Sequence, residues 1–455
     1  MKDNELEIIY SDDNPAIEKD DSKCIQCGYC VRACRDEVIV LKMYDINQTR
    51  EPVCIHCGQC ANLCPTEAVH EKFDYLKLKE LLSKKDFIKV ISIAPAVRVA
   101  IGEAFSLGEE NYEGKIVAGL KRLGFDYVFD VTFGADLTIM EEAMELVNRI
   151  KNNERLPMFT SCCPAWVRYA EIFYPEFLSN LSSCKSPITM QSSMIKTYFA
   201  EQEQLDVRKI LNVVVAPCTA KKAEVKRDEV NRACEYFKVS GISDTDYVIT
   251  TRELISLFRD CDIDFKTLPE EKFSSPLGKG SSAGLIFGKT GGVMEAALRT
   301  AYYFLNGRDL DKDAILFQDV RGTEGVREAS VNLGDVTLKV AVINGMKNAV
   351  RVLDKIKKGE VFYHFVEVMS CSFGCVGGGG QPKLTLLEMK SRKNKRLESM
   401  EKEDSHSKIR LCHQNPEIKE IYEKFLNEPN SEIAEELLHT TFVDRSYLLG
   451  GGHHE

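Results

Sequence analysis

The chain of 455 residues contains no apolar run approaching the roughly 20 residues that a membrane-spanning helix needs. Its N-terminus, MKDNELEIIYSDDNP, is acidic and lacks the apolar segment of a secretory signal. The expectation is a cytoplasmic protein with no membrane partner. Positive charge is scarce as well: 60 Lys and Arg stand against 70 Asp and Glu, a net charge of −10, which argues against nucleic acid as a main partner. No flavin or nicotinamide fingerprint stands out, so direct oxidation of NAD(P)H is not expected without another subunit. The length excludes a small disulfide-stapled scaffold, and 44% hydrophobic residues exclude disorder for most of the chain.

Cysteine, by contrast, is abundant. Seventeen cysteines in a reducing compartment point to metal ligation or redox chemistry. Eight of them form an internal repeat. CIQCGYCVRAC supplies Cys24, Cys27, Cys30 and Cys34, and CIHCGQCANLC, 30 residues later, supplies Cys54, Cys57, Cys60 and Cys64. The spacing C-x2-C-x2-C-x3-C, with Pro65 after the second set, is the two-cluster ferredoxin signature, in which the fourth cysteine of each run ligates the other cluster. Zinc sites or disulfides are the alternatives, and two matched sets of four weigh against both.

Residues 20–75 resemble a bacterial ferredoxin, a small α+β domain that transfers electrons. The resemblance assigns Cys24, Cys27, Cys30 and Cys64 to one [4Fe–4S] cluster and Cys34, Cys54, Cys57 and Cys60 to the other. His56, inside the second loop, is expected to be exposed. From Met1 to Asp74 there are 8 basic and 15 acidic residues. That is either a solvated acidic head or a field that steers a basic redox partner.

The first 21 residues read as a short polar arm, and EVIVLKMYDIN, between the two cysteine runs, reads as short β structure. Residues 74–89 read as a Lys-rich helix joining two domains, 1–77 and 78–455. Beyond it, short apolar strands (from Phe87, Tyr127, Asn212, Tyr247, Leu338 and around Tyr363–Ser370) alternate with amphipathic helices (115–122, 136–151, 252–259, 347–358 and 417–426). This alternation predicts an α/β domain with mostly parallel pairing. Residues 391–408 are highly charged and are expected to be exposed.

The later cysteines sit in unusual contexts. TSCCPAW holds Cys162 and Cys163, APCTAKKAE holds Cys218, and VEVMSCSFGCVGGGGQP holds Cys371 and Cys375. Two of these segments directly follow strands, and loops at the carboxyl ends of strands are where α/β folds build sites. Four thiolates from three such loops could hold another cubane. A cysteine nucleophile is the alternative, but it leaves the three loops and the ferredoxin repeat unconnected.

These three segments, in order and context, resemble the signature motifs of [FeFe]-hydrogenases, and the resemblance runs from about Phe87 onward. It implies two lobes of short, mostly parallel sheets around an H-cluster: a [4Fe–4S] cubane joined through a cysteine sulfur to a diiron subsite with CO, cyanide and an amine-bearing dithiolate. By motif position, Cys163, Cys218, Cys371 and Cys375 would hold the cubane, with Cys375 bridging to the diiron unit. Lys221 would bond a cyanide. Pro95, Phe287 and Met369 would line the pocket.

The resemblance also implies a proton route from Cys162 through a water to Glu142, Ser182, Glu145 and solvent near Arg149. Without it, Glu142, Glu145 and Arg149 read as a helix-surface ion-pair group. Ala96, Ala165, Ile188, Ala216 and Ser370 depart from the common family pattern at positions beside the ligands. Cys184, Cys234, Cys261 and Cys412 are expected to be buried and inert, and His364, His413 and His439 structural.

The activity implied is reversible reduction of protons to H2. Ferredoxin or another low-potential carrier would exchange the electrons, and maturation proteins would load the diiron unit. The chain would be a monomer or homodimer. A hydrogen sensor is disfavoured because Cys162 is retained and there is no room for a signalling domain. A non-catalytic iron–sulfur carrier or assembly factor is disfavoured by the intact TSCCPAW, Lys221 and proton-route residues.

Overall fold

The computed structural model describes residues 8–45, 49, 51–311, 325–385 and 387–450. Two four-stranded sheets organise the part after Phe87. The first has the order β4-β3-β6-β7, all parallel, from β3 (Ile88–Ile93), β4 (Tyr127–Asp130), β6 (Ile210–Ala216) and β7 (Tyr247–Thr250). Its central strands are nearly continuous apolar runs, as burial on both faces requires, and all seven residues of β6 are buried. The second sheet has the order β5-β10-β9-β8. In it β5 (Met158–Phe159), β10 (Phe365–Met369) and β9 (Val336–Asn344) run parallel, and β8 (Val326–Leu333) is antiparallel to β9. β8 has no counterpart among the expected strands. Its alternation is half exposed, and the turn into β9 needs Gly334 at φ +81°. Side chains of the second sheet alternate between two cores: Val366 and Val368 join Ala341 and Ile343 on one face, while Phe365 joins Val340 and Val342 on the other.

The helix Val131–Asn152 shares a core with each sheet, Phe133 with Val90 and Phe129 of the first, and Leu146 and Val147 with Val340 and Phe365 of the second. It starts at once after β4 because the Asp130 carboxylate accepts a hydrogen bond from the Thr132 N–H and caps it. This ends the strand expected to reach Phe133 three residues early. A glycine on this helix lets another helix in close: a Cβ at Gly134 would sit 2.2 Å from the carbonyl of Pro187, at the start of the helix Pro187–Met194.

Several sequence expectations are corrected. The segment between the cysteine runs folds as helical turns, Ala33–Glu37 and Val40–Lys42, with Val38 and Val40 buried; residues 46–48 lie outside the described set. Packing overrides the β propensity of those valines. The N-terminal arm is partly integrated, since β1 (Ile17–Lys19) pairs antiparallel with β2 (Val69–Glu71). Residues 391–408 are not a free surface. They belong to the helix Met389–His406, which buries Lys393, Arg396, Leu397, Met400 and Asp404. Arg396 pairs with Glu103 and donates to the Val376 carbonyl at 2.6 Å, so charges that read as solvated are spent inside. Among the described residues, no helix is long and apolar enough to cross a membrane.

Candidate active site

Four parallel strands from the two sheets deliver their carboxyl ends to one place. β3 leads to Pro95, β5 to Cys162 and Cys163, β6 to Cys218, and β10 to Cys371 and Cys375. Between them lies a cavity. Its wall includes every residue that the sequence put around the cofactor: Cys162, Cys163, Cys218, Cys371, Cys375, Lys221, Pro95, Phe287 and Met369. The five departures from the family pattern, Ala96, Ala165, Ile188, Ala216 and Ser370, all line it too. Ser370 turns its hydroxyl to the Met346 sulfur, 3.2 Å away.

The thiols of Cys218 and Cys375 are raised first by burial and then by neighbouring cysteines of the same set, which shows how closely the four sulfurs converge. The glycines after Cys375 do more than clear the cavity. A Cβ at Gly378 would lie 2.2 Å from the Pro217 carbonyl, and one at Gly379 would lie 2.0 Å from the Cys57 carbonyl. The glycine run lets three backbone segments meet.

Among the described residues, Lys221 is the only charged side chain on this wall. Its ammonium pairs with Glu224 at 2.8 Å and donates to the Cys162 carbonyl at 3.1 Å. Burial works to lower its pKa, but Glu224 outweighs that and keeps it raised. Four convergent sulfurs fit an iron–sulfur cubane, an apolar wall fits uncharged diatomic ligands, and a buried ammonium fits an anionic one, so the residues present suit an H-cluster.

The ferredoxin loops pack directly against this site. Cys57 itself lines the cavity, a contact that the repeat alone could not reveal. Its thiol is raised by burial and then by Cys60 and Cys371, one from each side of the junction. Gln59 Nε2 donates to Cys371 Sγ and to the Gly377 carbonyl, both at 3.1 Å. Arg252 ties Glu71 and Asn62 to the carbonyls of Gly379 and Gln381.

Within the ferredoxin part, Cys34 is raised by burial and then by Cys60 and Cys54, and Cys30 by burial and then by Cys27 and Cys64. His56 is buried, not exposed. Its Nδ1 lies 3.2 Å from Asn14 Oδ1, and its carbonyl accepts from Thr219 Oγ1 at 2.6 Å. Burial pushes its pKa well down.

A polar chain leads from Cys162 towards the surface. Burial, then the nearby Glu142 carboxyl, raise the Cys162 thiol. Glu142 is 1% exposed, and neither of its carboxyl oxygens has a hydrogen-bond partner among the described residues. Burial first, and the charge of Glu145 second, lift Glu142 to about 8. Ser182 Oγ donates to Glu145 Oε2 at 2.9 Å, and Arg149 pairs with Glu145 Oε1 at 2.6 Å. That pair is buried, which overturns the surface ion-pair reading. Glu145 and Arg149 line an open pocket at the outer end.

Of the unassigned cysteines, Cys184 and Cys412 are buried as expected, whereas Cys234 and Cys261 are only partly buried. Sequence reasoning also passed over Glu367. It is fully buried on β10 and accepts from the N–H groups of Gly291 and Met294 at 2.7 Å, anchoring the start of the helix Gly292–Asn306 beside the site. A lone acid inside an apolar strand was the available signal.

Comparison with known proteins agrees with this architecture. Residues 23–68 match the 4Fe-4S dicluster domain, residues 88–379 the C-terminal domain of the iron only hydrogenase large subunit, and residues 390–445 the iron hydrogenase small subunit. Iron hydrogenase 1 of Clostridium pasteurianum is 40% identical over 93% of this chain and 75% of its own length. The NADP-reducing hydrogenase subunit HndD of Solidesulfovibrio fructosivorans is 41% identical over 98% of this chain and 77% of its own. A variant of the apo [FeFe]-hydrogenase HydA1 from Chlamydomonas reinhardtii superposes with a TM-score of 0.71 at 38% identity, covering 83% of this chain and 100% of that one. The chain therefore belongs to the [FeFe]-hydrogenases, enzymes that produce and oxidise H2 at an H-cluster served here by iron–sulfur clusters of an N-terminal dicluster domain.

Proposed function

We propose that Cys163, Cys218, Cys371 and Cys375 would hold the H-cluster through their four sulfurs. Their convergence on one cavity wall carries this assignment. When bound, the H-cluster supplies the metal centre at which electrons and protons are exchanged with H2. Lys221 would orient it through its ammonium, while Pro95, Phe287 and Met369 would pack against it and exclude water.

Protons reach the cavity through Cys162, a water, Glu142, Ser182 and Glu145, with Arg149 at the exit. The support is the contrast along this line. Glu142 is a buried acid held largely protonated near neutral pH, whereas Glu145 is hydrogen-bonded and opens on a surface pocket. Cys24, Cys27, Cys30 and Cys64 would hold one [4Fe–4S] cluster and Cys34, Cys54, Cys57 and Cys60 the other, a pair that would supply electron relay to the H-cluster. What supports the second set as the one nearer the H-cluster is that Cys57 lines the cavity and Gln59 bonds Cys371.

The acidic 1–77 domain receives electrons from ferredoxin or a similar low-potential carrier, and 78–455 carries the chemistry. The protein works in the cytoplasm, as a monomer or homodimer, after maturation proteins have loaded the diiron unit. Cys162→Ala tests the proton route: H2 evolution from a reduced dye should vanish, with full iron loading and unchanged infrared bands of CO and cyanide. Normal evolution by that variant would refute it.

A further inference from the structure

The outer end of the proton route carries a second set of metal donors. Glu145, Cys184 and His439 each present one ligand atom, and the three atoms lie within 4.8 Å of one another. Backbone pairing builds the set: Cys184 and His439 face each other in an isolated antiparallel bridge, and Glu145 reaches them from the helix Val131–Asn152. Cys184 Sγ is 3.8 Å from Glu145 Oε2.

The support behind these groups is that of a metal ligand shell. His439 Nε2 lies 3.1 Å from Glu141 Oε2. Glu141 is itself fixed by the Tyr422 hydroxyl and by the Asn430 N–H at 2.7 Å. A carboxylate behind an imidazole in this way orients the ring and sets its tautomer. Among the described residues, the other nitrogen, Nδ1, meets only the movable hydroxyl of Ser183, at 2.8 Å. Glu145 and His439 line the open pocket of about 1060 Å3, so a cation can arrive from water without crossing the cofactor cavity. Arg149 holds Glu145 Oε1, while Oε2 accepts from Ser182 Oγ at 2.9 Å and from the Ser183 N–H at 3.1 Å, so a cation on Oε2 would replace the Ser182 hydrogen bond.

We propose that Glu145, Cys184 and His439, completed by water, form a site for a borderline-soft divalent cation such as Zn2+, and that filling it closes the proton route. One thiolate, one imidazole and one carboxylate suit such an ion in tetrahedral geometry. Binding displaces the Cys184 thiol proton to solvent, and no electrons move. A cation on Glu145 Oε2 takes the lone pair that now accepts from Ser182, so Glu145 can no longer pass a proton inward. The blocking part rests on the proton route proposed above, whereas the site itself does not.

The test uses the matured full chain with its clusters loaded, titrated with Co2+ as a spectroscopic stand-in and with Zn2+ during H2 evolution from a reduced dye. The expected result is a sulfur-to-cobalt charge-transfer band that Zn2+ displaces, with H2 evolution falling as the site fills. In Cys184→Ala the band should be absent. In both Cys184→Ala and His439→Gln half-inhibition should need at least ~10-fold more Zn2+. No band in the unmutated protein, or an equal band in Cys184→Ala, would overturn the site. Cobalt bound through Cys184 with H2 evolution undiminished would leave the site standing and overturn the blocking role together with the proton route. His439→Gln lies partly at the surface and keeps the question open to measurement should the buried Cys184 variant fold poorly.

Discussion

Replacing Glu142 with Gln tests the interior of the proton route most sharply. Glu142 is buried, has no hydrogen-bond partner among the described residues, and is lifted from 4.5 to about 8 by burial and by Glu145. At about 1.4 kcal/mol per pKa unit, such a lift opposes ionisation by roughly 5 kcal/mol. At pH 7 the group is therefore about nine-tenths protonated, where an ordinary glutamic acid is almost wholly ionised.

Two consequences follow from the sign. The folded state holds this proton more tightly than the unfolded state, so the group leaves stability intact below about pH 4.5 and subtracts from it as pH rises towards 8. Glu142→Gln has no proton to lose, so its melting temperature should overtake that of the unmutated protein progressively between about pH 5 and pH 8. Infrared difference spectra against pH should show a protonated carboxyl band that disappears near pH 8 in the unmutated protein and is missing from the variant. H2 evolution by Glu142→Gln should fall on the order of a hundredfold or more, because an amide keeps the shape but cannot relay a proton, while CO and cyanide bands stay unchanged. A carboxyl titrating near pH 4.5, or a variant as active as the parent, would refute the reasoning.

Two further outcomes concern the junction between the clusters and the cavity. Arg252→Ala removes the guanidinium that joins Glu71 and Asn62 to the Gly379 and Gln381 carbonyls and leaves a buried Glu71 carboxylate unpaired. The loss should be about 3–5 kcal/mol at the junction, read as a lower melting temperature and faster proteolysis between residues 8 and 82. Gln59→Leu removes the N–H···S bond to Cys371. The reduction potential of the cluster that Cys371 is proposed to ligate should move to more negative values in a spectroscopic redox titration, with iron content unchanged.

How far the sequence reached depended on how local each feature was. Cysteine spacing and motif context are local, so all twelve proposed cluster ligands could be named from them, and the strand-then-cysteine pattern pointed to three loops that could share one cubane. The strands β3, β6, β7 and β10 were visible as apolar runs because burial on both faces leaves little choice of residue. What was hidden depended on distant partners. His56 looked exposed until Asn14 and Thr219 closed over it. The charges of the helix Met389–His406 looked solvated until Glu103 and the Val376 carbonyl took up Arg396. Valines between the cysteine runs suggested strand, but closing the ligand loops demanded helical turns. Cys57 on the cavity wall, the detail that matters most for electron delivery, follows from packing at Gly379 that no local pattern announces.

The central claim is that four cysteines on one cavity wall hold the H-cluster. Its most direct test is the infrared spectrum of the matured full chain beside that of Cys375→Ala. The unmutated protein should show stretching bands of CO and cyanide and evolve H2 from a reduced dye, and the variant should lose both. Those bands persisting unchanged in Cys375→Ala, or H2 evolution by the unmutated protein without them, would contradict the account.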